Sequence, residues 1–305
     1  MRSFKDWSLL VAKGFAMGTA DIIPGVSGGT IAFITGIYEE LISTIAGLGP
    51  STIRDLFKDG IVETWKKYNL SFLLALVFGI LSAVVLISNL VHSVQDTHPE
   101  ELNGFFMGLV IASTPLIARH IKKSQLSNIL LFLLGIVIAY FITSREPTQG
   151  IASYWYLALT GSIAICAMIL PGISGSVLLI ILGTYKRITC ALTIEHFSLT
   201  DLLVFASGVV FGILFFTRGV KKILELYYEQ TLSVLLGFML GALGVLWPWK
   251  KDNLSIVLVE KCDGSKEYLT ENIAPYGETP EIATVCGLAL LGALIVTGLD
   301  KLSRK

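Results

Sequence analysis

The chain has 305 residues, of which 53% are hydrophobic and 15% charged, with 23 Lys and Arg balancing 23 Asp and Glu. Soluble domains carry about 25% charged residues, so a mean hydropathy of +0.73, with charges bunched between long apolar runs, excludes an ordinary water-soluble domain and implies several membrane spans. Zero net charge, with no basic tract and no aromatic–basic interleaving, gives no footprint for nucleic acid.

Arg2 and Lys5 precede an apolar run that continues past Gly36, so the start reads as an uncleaved first segment rather than a leader. This segment, 9–45, is broken by Pro24-Gly25. Proline removes a backbone donor and clashes with the preceding turn, and it pushes Ile23 toward extended geometry. Three ordinary apolar stretches follow at 71–93, 102–118 and 126–143. A second interrupted segment, 154–190, breaks at Pro171-Gly172, and further stretches lie at 202–217, 231–248 and 282–299. Between the last two, the polar loop 250–281 holds two short strand-like pieces, 256–260 and 267–270, around Asp263-Gly264.

The second half repeats the first. At an offset of 147 residues, Gly14, Ala20, Ile22, Pro24, Gly25, Ser27, Gly28, Ile34, Gly36 and Tyr38 match Gly161, Ala167, Ile169, Pro171, Gly172, Ser174, Gly175, Ile181, Gly183 and Tyr185. At an offset of 133, Val77–Leu81 and Val210–Leu214 are both VFGIL, Gly108 matches Gly241, and Pro115 matches Pro248. Leu133-Leu134-Gly135 pairs with Leu290-Leu291-Gly292. Ordered matches at Gly and Pro point to duplication. The units are 1–146 and 147–305.

Each interrupted segment reads either as a kinked span or as a re-entrant hairpin. After each break the apolar run covers eight residues, Thr30–Ile37 or Val177–Thr184. As helix that is about 12 Å, less than half of a ~30 Å core. The distribution of Lys and Arg gives a second test. The hairpin reading with a cytoplasmic N-terminus places 16 inside. Seven fall outside: Arg145, Lys186, Arg187, Lys250, Lys251, Lys261 and Lys266. Full crossing by both segments gives 10 inside and 13 outside. The hairpin reading is favoured. It predicts an all-α polytopic membrane protein of two inverted repeats, each a re-entrant Pro-Gly-broken helical hairpin plus three transmembrane helices. Both termini are cytoplasmic and the 250–281 loop is outside, as a cap over the second half or a gate.

The candidate site lies at the breaks. Ser27-Gly28-Gly29-Thr30 and Ser174-Gly175-Ser176 each open a helix, where free N–H groups, small residues and hydroxyls suit an anion. The same residues also suit tight packing and N-capping by Ser27 and Ser174. Asp21, whose counterpart is Met168, is an intramembrane carboxylate. It reads as a coupling site for a proton or cation, or as a cap for exposed amides. Pro24 and Pro171 are the gating hinges. Glu39-Glu40 correspond to Lys186-Arg187, so the charge reverses between copies. Arg187 reads as a collector of anionic headgroups or an interfacial anchor. Arg119 and Arg218 read as phosphate contacts on the cytoplasmic side or as snorkelling anchors. Tyr38 and Tyr185 read as interfacial belt residues.

Cys166, Cys190, Cys262 and Cys286 form no CxxC, and three of them read as small hydrophobes. His92, His98, His120 and His196 lack ligand spacing, so no metal or cofactor is expected. Nor does the sequence carry a nucleophile–base constellation for an intramembrane lipid-phosphate enzyme.

DIIPGVSGGTIAFITGIYEELI at Asp21–Ile42 and PGISGSVLLIILGTY at Pro171–Tyr185 resemble the paired signatures of the PopT family of bacterial polyprenyl-phosphate (undecaprenyl-phosphate) translocases. The resemblance extends over nearly the whole chain. It implies a multi-pass protein of the bacterial cytoplasmic membrane and no enzymatic activity. The implied role is return of the lipid carrier phosphate from the outer to the inner leaflet for envelope glycan synthesis. The signature positions are Asp21, Pro24, Gly25, Ser27, Gly28, Gly29, Thr30, Pro171, Gly172, Ser174, Gly175 and Ser176. A transporter of a small soluble anion on the same scaffold is the alternative.

Overall fold

The computed structural model describes residues 2–23, 26–121, 125–260, 262, 264–276 and 279–303. The protein is mostly helical. In chain order the first half contains α1 (Phe4–Ile22), α2 (Gly28–Ile34), α3 (Tyr38–Gly47), α4 (Pro50–Lys58), α5 (Ile61–Lys67), α6 (Leu70–Thr97), α7 (Pro99–Ala118) and α8 (Leu126–Thr143). The second contains α9 (Tyr154–Ile169), α10 (Gly175–Ile181), α11 (Tyr185–Ala191), α12 (Leu199–Leu226), α13 (Tyr228–Gly241) with a 3-10 turn at Leu243–Leu246, and α14 (Thr279–Ser303). Strands β1 (Lys250–Glu260) and β2 (Lys266–Asn272) form an antiparallel hairpin before α14.

Among the described residues, six helices are long and apolar enough to cross a membrane: α6, α7, α8, α12, α13 with its 3-10 turn, and α14. Their outer faces carry exposed Leu, Val and Phe, such as Phe78, Leu81 and Val85 on α6 and Phe211 and Phe215 on α12. That is the surface lipid requires, and water does not tolerate it on this scale. Start signals are local. Ser3 Oγ accepts the Asp6 N–H at 3.3 Å, while Asp6 accepts the Ser3 N–H at 2.7 Å, a capping box. Pro50 and Pro99 stand at first helical positions.

The helices pack as equivalent pairs. α1 lies on α6, and α9 lies on α12. Gly14 and Gly79 let the backbones of the first pair meet, and Gly161 and Gly208 do so in the second; at each, an added methyl would strike main chain of the facing helix. Two further pairs join the halves, α7 on α14 and α8 on α13. There the close approaches are Gly108 and Gly292 in one, Gly135 and Gly237 in the other. Exchanging the halves maps each pair onto its mate.

Two sequence expectations are corrected. Tyr38 is not a belt residue: it is 2% exposed and packs edge-to-face on Phe33 at 5.4 Å, because α3 is sheathed by α12 and α6. Cys190 is not an independent small hydrophobe, and Cys262 of the polar loop is its partner. They form a disulfide that ties α11 to the β-hairpin turn, and Lys186 Nζ to Glu260 at 2.9 Å reinforces the same junction. Trp249 at the hairpin base is buried, and Trp247 Nε1 donates to Ile273 O at 2.8 Å.

Candidate functional site

Both interrupted segments stop being helical at the expected places, α1 at Ile22 and α9 at Ile169. Pro24 and Gly25 lie outside the described residues. In the second segment Pro171 is fully buried. Gly172 takes φ +86°, the left-handed region that favours glycine. A side chain there would also strike Phe238 O and Met239 of α13, at 2.6 and 2.7 Å.

The two interrupted segments touch. Ser27, 1% exposed, caps α2: its Oγ accepts the Gly29 N–H at 3.1 Å and donates to Met168 O at 3.1 Å, with Leu170 O at 3.4 Å. Thr30, 2% exposed, accepts the Gly172 N–H through Oγ1 at 2.8 Å. Gly29 lies against main chain: a methyl on it would fall 2.7 Å from both Met168 O and Ile169 O. Ser27, Gly29 and Thr30 thus bind the end of α9 and the turn after it. Hydroxyls at Ser27 and Thr30 satisfy backbone groups that lipid leaves unpaired.

Capping differs between the two interrupted segments. Gly28 N–H donates to Asp21 Oδ1 at 2.7 Å, and Thr30 N–H reaches Ser27 O at 2.9 Å. The first turn of α2 is therefore occupied, with a carboxylate in the position an external anion would take. In the second segment Met168 stands over Gly175 as Asp21 stands over Gly28. Its thioether is a weak acceptor, and no side chain caps α10. Ser174 and Ser176 hydroxyls instead bond each other at 2.8 Å. α2 is buried from Gly28 to Phe33, whereas in α10 only Gly175 is buried. A void of about 10 Å³ between Val26, Thr30, Gly172 and Met239 has room for about one water molecule.

The arginines lie elsewhere. Arg187 on α11 forks onto Asp201 of α12, with Nε–Oδ2 at 2.8 Å and Nη2–Oδ1 at 2.7 Å. Arg218 on α12 donates to Leu214 O at 2.8 Å and to Leu48 O, the C-cap carbonyl of α3. Arg119 ends α7, its Nε 3.3 Å from Pro115 O. Glu39 accepts from Tyr228 OH at 2.6 Å, joining α3 to α13. Glu40 accepts from Asn69 at 2.7 Å and pairs with Arg2.

Sequence reasoning did not single out Thr184. It is 2% exposed, its hydroxyl is buried without a partner, and it lines a cavity of about 460 Å³ beside Lys186, Arg187, His196, Ser198 and Asp201. Its position before the Tyr185-Lys186-Arg187 run was the available signal. No group of three or more His, Cys, Asp or Glu able to hold a metal occurs among the described residues.

A family model described as undecaprenyl phosphate translocase-like matches residues 17–261, which includes both Pro-Gly breaks and the β-hairpin's first strand. The chain is 36% identical over 302 residues, 96% of each chain, to the polyprenyl-phosphate transporter of Vibrio cholerae. It is 30% identical over 273 residues to the polyprenyl-phosphate transporter of Staphylococcus aureus, covering 83% of this chain and 90% of that one. No solved structure matches. The chain belongs to the undecaprenyl phosphate translocase-like family.

Proposed function

We propose that this protein returns undecaprenyl phosphate from the outer to the inner leaflet of the bacterial cytoplasmic membrane. The headgroup passes between the two Pro-Gly-Val/Ile-Ser-Gly segments while the polyprenyl tail stays in lipid. The observation that carries the reading is the junction of Ser27 and Thr30 with the main chain around Met168 and Gly172, in a chain whose relatives are named polyprenyl-phosphate transporters.

The halves act as inverted repeats, 1–146 and 147–305, with re-entrant arms 9–45 and 154–190. Equivalent helix pairing and equivalent positions of Asp21 and Met168 favour the duplication. Two oppositely directed broken helices meeting inside a membrane suit alternating access. The Cys190–Cys262 disulfide favours an outside location for α11 and the β-hairpin, since disulfides persist in oxidising compartments. Both termini are then cytoplasmic. The Glu39–Tyr228 and Arg218–Leu48 contacts close the opposite, cytoplasmic side.

Asp21 couples transport to a proton or sodium ion. While ionised it occupies the Gly28 amide; neutralised by a proton or drawn to a cation, it releases that amide to the phosphate. Ser174, Gly175 and Ser176, whose helix start has no side-chain cap, receive the headgroup from the other side. Arg119 and Arg218 hold it on arrival inside. The expected test is cellular: Ser27→Ala or Ser174→Ala raises the carrier phosphate accessible to an impermeant phosphatase at the cell surface, with protein level unchanged. Unchanged surface carrier phosphate in both variants removes these loops from the pathway.

A further inference from the structure

The central junction leaves space for about one water molecule, so a headgroup leaving the outer leaflet must first be held elsewhere. We infer that the cavity between α11 and the start of α12 is a receiving site for a phosphate monoester dianion. Its built features are polar and incompletely satisfied. Arg187 gives Nε and Nη2 to Asp201 and lies over the Tyr154 ring at 5.3 Å, but its Nη1 is buried with no hydrogen-bond partner. Thr184 Oγ1, in a residue 2% exposed, is buried and likewise unpartnered. Buried donors left unpaired cost about 1–3 kcal/mol each, so two of them, in side chains that line one cavity, point to an acceptor they meet when they turn into it. A phosphate oxygen accepts from both kinds of donor at once.

The remaining lining fits this ligand. Lys186, His196 and Ser198 also line the cavity, the Ser198 hydroxyl accepting the Asp201 N–H at 3.3 Å. At about 460 Å³ the space admits a headgroup with water. Two carboxylates temper the charge, Asp201 on Arg187 and Glu260 on Lys186. Binding is therefore loose, as a site that must pass its ligand onward requires. Asp201 is a positioning residue that fixes the Arg187 fork. The matching position in the first repeat is acidic, Glu39-Glu40, which gives the two mouths opposite preferences for an anion.

The identity of the lipid rests on the transport reading above; the anion site does not. The test uses full-length protein in nanodiscs, titrated with polyprenyl phosphate and, separately, with inorganic phosphate. Arg187→Lys and Thr184→Val should each weaken polyprenyl phosphate binding about tenfold. Asp201→Asn, by freeing the guanidinium, should tighten it several-fold, a gain that misfolding cannot produce. If all three variants bind both probes like wild type, the site assignment is overturned, even where lipid transport persists. If binding of inorganic phosphate alone follows the three substitutions and no lipid crosses the bilayer, the anion site stands and the transport reading falls.

Discussion

Replacing Gly29 with alanine tests the contact between the two broken segments. The new methyl would sit 2.7 Å from both Met168 O and Ile169 O, where a close carbon–oxygen contact needs about 3.3 Å. α2 must therefore withdraw by roughly 0.6 Å. That stretches the 3.1 Å Ser27–Met168 bond to about 3.7 Å, beyond hydrogen-bond range. The 2.8 Å Thr30–Gly172 bond lengthens to about 3.4 Å, a weak one. Overpacking costs about 1–3 kcal/mol and a lost buried hydrogen bond about 1 kcal/mol more, so a total of roughly 2–4 kcal/mol is expected. The measurement is the unfolding midpoint in mixed micelles, followed by the fluorescence of the five tryptophans. Gly219→Ala is the companion, since nothing lies within 4 Å of that methyl; this helix-interior change should gain about 0.5–1 kcal/mol. Equal midpoints for Gly29→Ala and wild type would show that α2 and the end of α9 are not in contact.

Thr30→Val leaves the Gly172 N–H buried and unpaired and should cost about 1–3 kcal/mol, while Thr30→Ser recovers most of it in the same unfolding assay. Burial pushes the Lys250 amine, which donates to Val245 O, down to about 8 from 10.5. The folded state therefore binds fewer protons between those values, and stability rises with pH through that window. The rise is at most about 3 kcal/mol and nearer 1 kcal/mol for a side chain that keeps some water contact, and Lys250→Met should abolish it in a pH series of melting curves. A membrane-impermeant maleimide should reach Cys190 and Cys262 in intact cells only after reduction; labelling confined to inside-out vesicles would reverse the proposed orientation.

Much of the helical framework was legible because lipid imposes a single demand on composition: long apolar runs without charges. The breaks were legible for the same reason, since proline cannot donate within a helix. The use made of the broken ends was not. Ser27 read as an anion donor or a local cap and Thr30 as an anion donor; Ser27 does cap α2, but each also commits its hydroxyl to the other half of the chain, a tertiary choice that no local pattern encodes. Asp21 was visible as a costly charge, and its capping of Gly28 was one of its two readings. The cysteine pairing was hidden because 72 residues separate its partners and no short motif marks them. Tyr38 misled for a related reason: next to Glu39-Glu40 it resembles an interface residue, yet α12 from the other half covers it.

The most direct test is reconstitution. Proteoliposomes containing labelled undecaprenyl phosphate are followed for passage of the label between leaflets, under imposed proton or sodium gradients. Wild-type protein should accelerate passage well above protein-free vesicles. Gly29→Ala and Asp21→Asn should each lower the rate at least tenfold, and a gradient of the coupling ion should change the wild-type rate but not that of Asp21→Asn. Passage at the protein-free rate with wild type, or variants as fast as wild type, would contradict a pathway through the crossing of the two broken helices.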